Sequence, residues 1–162
     1  MKISTNTIKL LRLIKTFRLL FIYSICFFSA LANANTLKPF YSDGCTLFTD
    51  GNWGHCCFEH DLRYWFGGTK QDQKKADLEL RACVKDAAGP FWANMMYTAV
   101  RWGHHSPVKA KTAWSWGWRE PHGWDPLQPD EITYIKAELA EMPLDDSFRE
   151  DFISKYLCPF SD

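Results

Sequence analysis

Two blocks of helical periodicity, separated by Gly67-Gly68, dominate the first half of the chain. In the first block Trp53, Cys57, His60, Asp61 and Tyr64 fall on one stripe, at i, i+4, i+7, i+8 and i+11. That pattern predicts a helix capped by Asp50 or Asn52 and running to about residue 66, where the glycine pair ends it. In the second block Thr69 or Asp72 caps a helix reaching Ala88, before the Gly89-Pro90 stop. Its apolar stripe is Ala76, Leu80, Cys83, Val84 and Ala87, with Asp77 on the border.

Later segments carry weaker patterns. Residues 91–101 predict a short helix with Phe91, Met95 and Val100 as buried positions. Alternation at Trp114, Trp116 and Trp118 predicts an extended, strand-like run. The five indoles between Trp102 and Trp124 (Trp102, Trp114, Trp116, Trp118 and Trp124) either complete a small core or form an aromatic rim at a lipid–water interface. Asp130 caps a helix with the stripe Ile132, Ile135, Leu139 and Met142. Ser147 to Glu150 has the S-x-x-E form of a capping box, followed by Phe148, Phe152, Tyr156 and Leu157 at helical spacing. Residues 35–52 read as irregular, with tight bends at Asp43-Gly44 and Asp50-Gly51. Such a loop exposes carbonyls and two carboxylates, which suits a hard cation, although Asp-Gly turns are usually only turns.

The N-terminus changes how composition is read. Lys2, Lys9, Arg12, Lys15 and Arg18 precede an uncharged apolar run that ends in Ala32-Asn33-Ala34. A basic region, an apolar region and a small-residue cleavage pattern make residues 1–34 a signal peptide, leaving a single domain over 35–162 and a secreted or periplasmic address. The leader holds five of the 19 Lys+Arg and none of the 19 Asp+Glu, so the exported chain carries 14 against 19, a net of −5. An acidic chain argues against nucleic acid as a partner. Five cysteines remain in the exported part: Cys45, Cys56, Cys57, Cys83 and Cys158. Export makes them disulfide material, with one left over.

Folding the first two helices back antiparallel about Gly67-Gly68 sets a register. His60 precedes Gly68 by eight residues and Asp77 follows it by nine, so the two stand level and Asp77 can reach His60. Tyr64, one turn nearer the bend, can reach Asp77 as well. Cys83 stands level with Cys56 and Cys57; one of that pair can bridge to it and the other can hold Cys45. Histidine and carboxylates on such a face form either a satisfied polar network or a reactive site. A zinc site of His55, Cys56, Cys57 and His60 is a further reading, as is a metal phosphohydrolase drawing on His104 and His105.

The run Cys56-Cys57-x-x-His60-Asp61-x-x-Tyr64 resembles the active-site helix of the secreted phospholipase A2 family, whose signature is Cys-Cys-x-x-His-Asp-x-Cys-Tyr. The upstream cysteine-bearing loop and the position of Asp77 are similar to that family too, and the short His60–Asp77 separation resembles its compact bacterial-type members. The resemblance covers residues 43–83. It implies an all-α fold: a disulfide-tied antiparallel helix pair carrying the active site, an upstream calcium-binding loop and further C-terminal helices. By the same resemblance His60 is the general base, Asp77 orients it, Tyr64 supports it, and Asp61 holds Ca2+. Carbonyls of Gly44 and Thr46 are the implied loop ligands, with Phe48 or the Asp50-Gly51 turn as substitutes. The implied substrate is a glycerophospholipid in a membrane surface or micelle, cut at its sn-2 ester. Two departures stand out: Arg63 occupies the place of a family cysteine, and Cys45 lacks the glycine-rich surroundings of the family loop. A catalytically silent relative that binds membrane or a partner is the alternative.

Overall fold

Breaks fall where glycine, proline and capping residues place them. The computed structural model describes residues 36–45, 48, 51–103 and 111–158, within the unit Thr36–Asp162. The expected leader, residues 1–34, lies outside the described residues, as do Thr46, Asp50, His104 and His105. Five helices follow in order: α1 (Gly54–Phe66), α2 (Lys70–Ala88), α3 (Pro90–Gly103), α4 (Pro129–Glu141) and α5 (Asp146–Tyr156). No strand occurs among the described residues, and an isolated antiparallel bridge joins Leu37 to Trp118. None of these helices is long and apolar enough to cross a membrane.

Thr69 caps α2 as its sequence predicts: its hydroxyl accepts from the Asp72 amide, and the Asp72 carboxylate accepts from the Thr69 amide. Losing such a cap costs about 1 kcal/mol. Other caps differ from expectation. Helix α1 begins at Gly54 with Trp53 in the cap position, and the Asn52 side chain donates through Nδ2 to the Ala87 carbonyl at 2.6 Å. Gln128 rather than Asp130 caps α4, in a capping box with Glu131. Asp145 rather than Ser147 caps α5; its carboxylate accepts from the Ser147 hydroxyl and from the Phe148 and Ser147 amides, which holds it below the usual carboxylate range.

Two clusters divide the interior, and α1 serves both. Leu62, Trp65 and Phe66 pack with Leu37, Trp118, Ile135, Leu139, Phe152 and Leu157. Cys56 and Cys57 pack with Cys45, Leu80, Val84, Ala93 and Met96. A helix flanked by two clusters is buried on nearly every side, so residues 60–66 of α1 are all buried, His60, Asp61 and Arg63 among them.

The tryptophan-rich segment explains how α1 ends. It is a series of turns, not a strand. The last four carbonyls of a helix lack partners within it and need them from elsewhere. Gly67 donates its amide to the Arg63 carbonyl at 2.9 Å, Ser115 to Tyr64 at 2.8 Å, and Gly117 to Trp65 at 2.8 Å. The Trp118 indole N–H donates to the Phe66 carbonyl at 2.7 Å, and that of Trp114 to Gly68 at 2.9 Å. Trp118 is buried and Trp114 and Trp116 are half-buried, and the Trp114 and Trp118 indoles hold the end of the His60 helix, whereas Trp102 and Trp124 are exposed.

Gly117 is held to glycine by this approach, since a Cβ there would collide with the Trp65 carbonyl and indole. Gly117→Ala is expected to lower stability by about 1–3 kcal/mol, the usual range for forced overpacking, read as a fall in the denaturant midpoint without a change of slope.

Candidate active site

Contacts between α1 and α2 run in reverse order along the two helices. Cys56 of α1 is disulfide-bonded to Cys83 near the end of α2, and His60 meets Asp77 one to two turns nearer the connection. The second disulfide joins Cys45 to Cys57 and fixes the irregular N-terminal segment to α1. Both members of the adjacent pair are therefore used, and Cys158 remains as an exposed free thiol among the described residues.

Asp77 is the centre of the site, with 0% of its surface exposed. One carboxylate oxygen, Oδ1, lies 3.1 Å from His60 Nε2 and accepts the Tyr64 hydroxyl at 2.6 Å. The other, Oδ2, accepts from Arg101 of α3 at 3.3 Å. A buried carboxylate needs such donors, and a guanidinium among them favours its charged form. Since Asp77 accepts, His60 Nε2 carries the hydrogen, which puts the lone pair on Nδ1. Burial, then the adjacent Asp77 charge and the bond to it, push the Tyr64 phenol far above its ordinary value, so it stays a neutral donor.

Asp61, the next residue along α1, turns to the N-terminal segment. Its Oδ2 accepts the Ser42 hydroxyl at 2.5 Å, and Ser42 Oγ in turn accepts the Gly44 amide at 3.1 Å. Gly44 has φ of 69°, a left-handed turn that glycine takes without strain. His60, Asp61, Asp77, Tyr64 and Gly44 are thus placed within two short hydrogen-bonded groups, and Thr46 lies outside the described residues. Ser42 and Arg101 are additions that the sequence motifs do not name. Arg101 was within reach: it follows Gly89 by as many residues as Asp77 precedes it, the same register logic that paired Asp77 with His60. For Ser42 the sequence offers only a turn-forming run.

Arg63, standing where the resembled family has a cysteine, is buried, with its guanidinium 3.4 Å from Glu79, 3.4 Å from the Asp72 carbonyl and 4.0 Å over the Tyr156 ring. The Tyr156 hydroxyl contacts Glu59 and Glu79, so an ionic and aromatic cluster joins α5 to α1 and α2. Burial and the bond to Glu59 raise the Tyr156 phenol well above its ordinary value. A cleft of about 50 Å³ lies between these groups and His60, with polar walls from Glu59, Arg63, Glu79 and Lys155.

His55, Cys56 and Cys83 are the one cluster of metal-binding type among the described residues. Both sulfurs are committed to the Cys56–Cys83 disulfide and Cys57 is bonded to Cys45, so the zinc reading of His55, Cys56, Cys57 and His60 has no thiolates to use. No protein-family model, curated protein or solved structure matches the chain.

Proposed function

We propose that this chain is an exported, calcium-dependent hydrolase that cleaves the sn-2 fatty acyl ester of glycerophospholipids, built on an antiparallel, disulfide-tied helix pair. The observation that carries the reading is His60 held through Nε2 by a buried Asp77 that also accepts from Tyr64, with Asp61 beside it turned to the upstream loop.

In this reading His60 Nδ1 takes a proton from water as the water oxygen bonds to the ester carbon. Asp77 fixes the tautomer and stabilises the imidazolium that forms, and Tyr64 holds Asp77 in place. When the carbon–oxygen bond to the glycerol breaks, the imidazolium returns its proton to the leaving alkoxide, giving a fatty acid and a lysophospholipid. The Asp61 carboxylate and the Ser42 hydroxyl supply oxygen donors beside the Gly44 turn, the donor type Ca2+ selects. Asp61 and the Gly44 carbonyl would hold the ion, whose chemistry is that of a Lewis acid toward an ester carbonyl and a counter-charge to a phosphodiester.

Fatty acid released from phospholipid vesicles is expected with calcium and absent in EGTA, with free acyl chains coming from the sn-2 position when the two chains are labelled differently. Vesicles bound without release of either chain would instead select the catalytically silent alternative.

A further inference from the structure

Helix α3 carries apolar residues on both of its faces. Ala93 and Met96 are buried against α2, with Val100 packed partly beside them. Phe91, Met95 and Trp102 lie on the opposite face, at i, i+4 and i+11, and are 69%, 36% and 78% exposed. In a 14-residue helix whose one charged side chain, Arg101, is turned to Asp77, little on that outward face favours water. Expectation from the sequence had Phe91 and Met95 inside. The small Ala93 instead lets α2 approach closely, and the bulky residues are turned out.

Helix α2 supplies the charge beside this face. Lys74, Leu78, Arg81 and Lys85 form an exposed stripe at helical spacing. Arg81 Nε donates to Asn94 of α3 at 2.9 Å and its guanidinium lies over Tyr97, so the stripe borders α3. The contacts Asp77–Arg101 and Arg81–Asn94 fix a reversed register in which Lys74 stands level with Trp102 and Lys85 with Phe91. Among the acids of α2, Asp72 caps the helix, Asp77 is buried and Glu79 faces α5, which leaves Asp86 as the exposed one. A chain whose exported part is acidic by sequence thus gathers a basic stripe alongside its most exposed aromatic residues.

We propose that the paired outer faces of α2 and α3 dock this protein onto an anionic lipid surface, with Phe91, Met95 and Trp102 entering the headgroup region and Lys74, Arg81 and Lys85 meeting the headgroup charge. Charge complementarity identifies the occupant: indoles and lysines at one level of a helix pair are the combination an anionic interface stabilises, and the stripe offers no carboxylate to a basic partner. Trp102 is next to Arg101, so the docked face adjoins the Asp77–His60 pair; its service to lipid hydrolysis rests on the function proposed above, whereas the docking itself does not.

The test is co-sedimentation of the His60→Gln chain, in EGTA, with vesicles of equal phosphatidylglycerol and phosphatidylcholine, and with phosphatidylcholine alone. Binding to the anionic vesicles is expected, together with a blue shift of tryptophan emission. Phe91→Ser with Trp102→Ser should lower the bound fraction about tenfold on both vesicle types, since neither side chain is needed for the core. Lys74→Glu with Lys85→Glu should lower binding only on the anionic vesicles. Unchanged melting temperatures establish that both double variants are folded. Absence of binding by the parent, binding equal to the parent in both variants, or a parent dimer that the Phe91/Trp102 variant dissolves would overturn the proposal, the last by giving the face to a second copy. Because turnover is absent from the assay, failure of docking and failure of hydrolysis are read separately.

Discussion

His60→Gln is expected to reduce fatty acid release by about 10²–10⁴-fold, the range for losing a positioned general base, while calcium still raises the melting temperature. An ion that binds only the folded chain stabilises it by ~2.7 kcal/mol at a hundredfold excess over Kd, and the His60→Gln change leaves the oxygen donors around Asp61 untouched. Asp61→Asn removes the one carboxylate assigned to the ion, so both activity and the calcium-dependent rise should vanish together. Asp77→Asn should fall between them, with calcium stabilisation kept and turnover reduced, because it holds His60 Nε2 and does not touch the donor set. Activity measured in EGTA with Asp61→Asn in place, if undiminished, would defeat the mechanism.

The second large effect concerns stability. Trp118 is 2% exposed, packs in the larger cluster, stacks on His122 and donates to the Phe66 carbonyl. Trp118→Ala is expected to cost about 3–5 kcal/mol, the range for truncating a buried aromatic. For a domain of this size that is a fall in Tm of roughly 10–20 °C. Trp118→Phe keeps most of the packing and leaves the Phe66 carbonyl without its donor, at about 1–3 kcal/mol. Trp116→Phe gives the contrast: the Trp116 indole N–H is buried without a partner, so replacing it with a ring that has no N–H should cost less than the same change at Trp118. Equal losses at the two sites would show that packing alone, and not the bond to α1, sets the value of Trp118.

Much of the helical layout follows from local signals. Thr69 with Asp72, the glycine pair at 67–68 and the Gly89-Pro90 stop are read directly, because caps and breaks depend on residues within a few positions. The meeting of His60, Tyr64 and Asp77 follows from counting outward from Gly67-Gly68, as does a bridge from Cys83 to the adjacent cysteines. What the count leaves open is which cysteine goes where; the structure gives Cys56 to Cys83 and Cys57 to Cys45.

Longer-range features were not legible. The stripe through Trp53 and Tyr64 suggests a helix with one buried face, yet Leu62, Trp65 and Phe66 are buried as well, by Leu37, Trp118 and the C-terminal helices. In α3 two apolar faces compete and periodicity cannot choose between them; the choice is made by the fit of Ala93 against α2, which is a property of the partner. Alternating tryptophans match a strand pattern, and only the unpaired carbonyls of α1 explain why they form turns. Those carbonyls belong to a different part of the chain, so no window around Trp116 contains the reason.

The termination of α1 has a consequence for the order of events in the cell. Residues 64, 65, 66 and 68 are made some fifty positions before the groups that complete their hydrogen bonds at residues 114–118. A chain emerging from a ribosome or a translocation pore N-terminus first therefore presents the His60 helix with an open end until the tryptophan segment has followed it out. The geometry of the candidate site is set late: a chain halted between residues 78 and 113 would contain His60, Asp61 and Asp77 and still lack the groups that close the helix holding two of them.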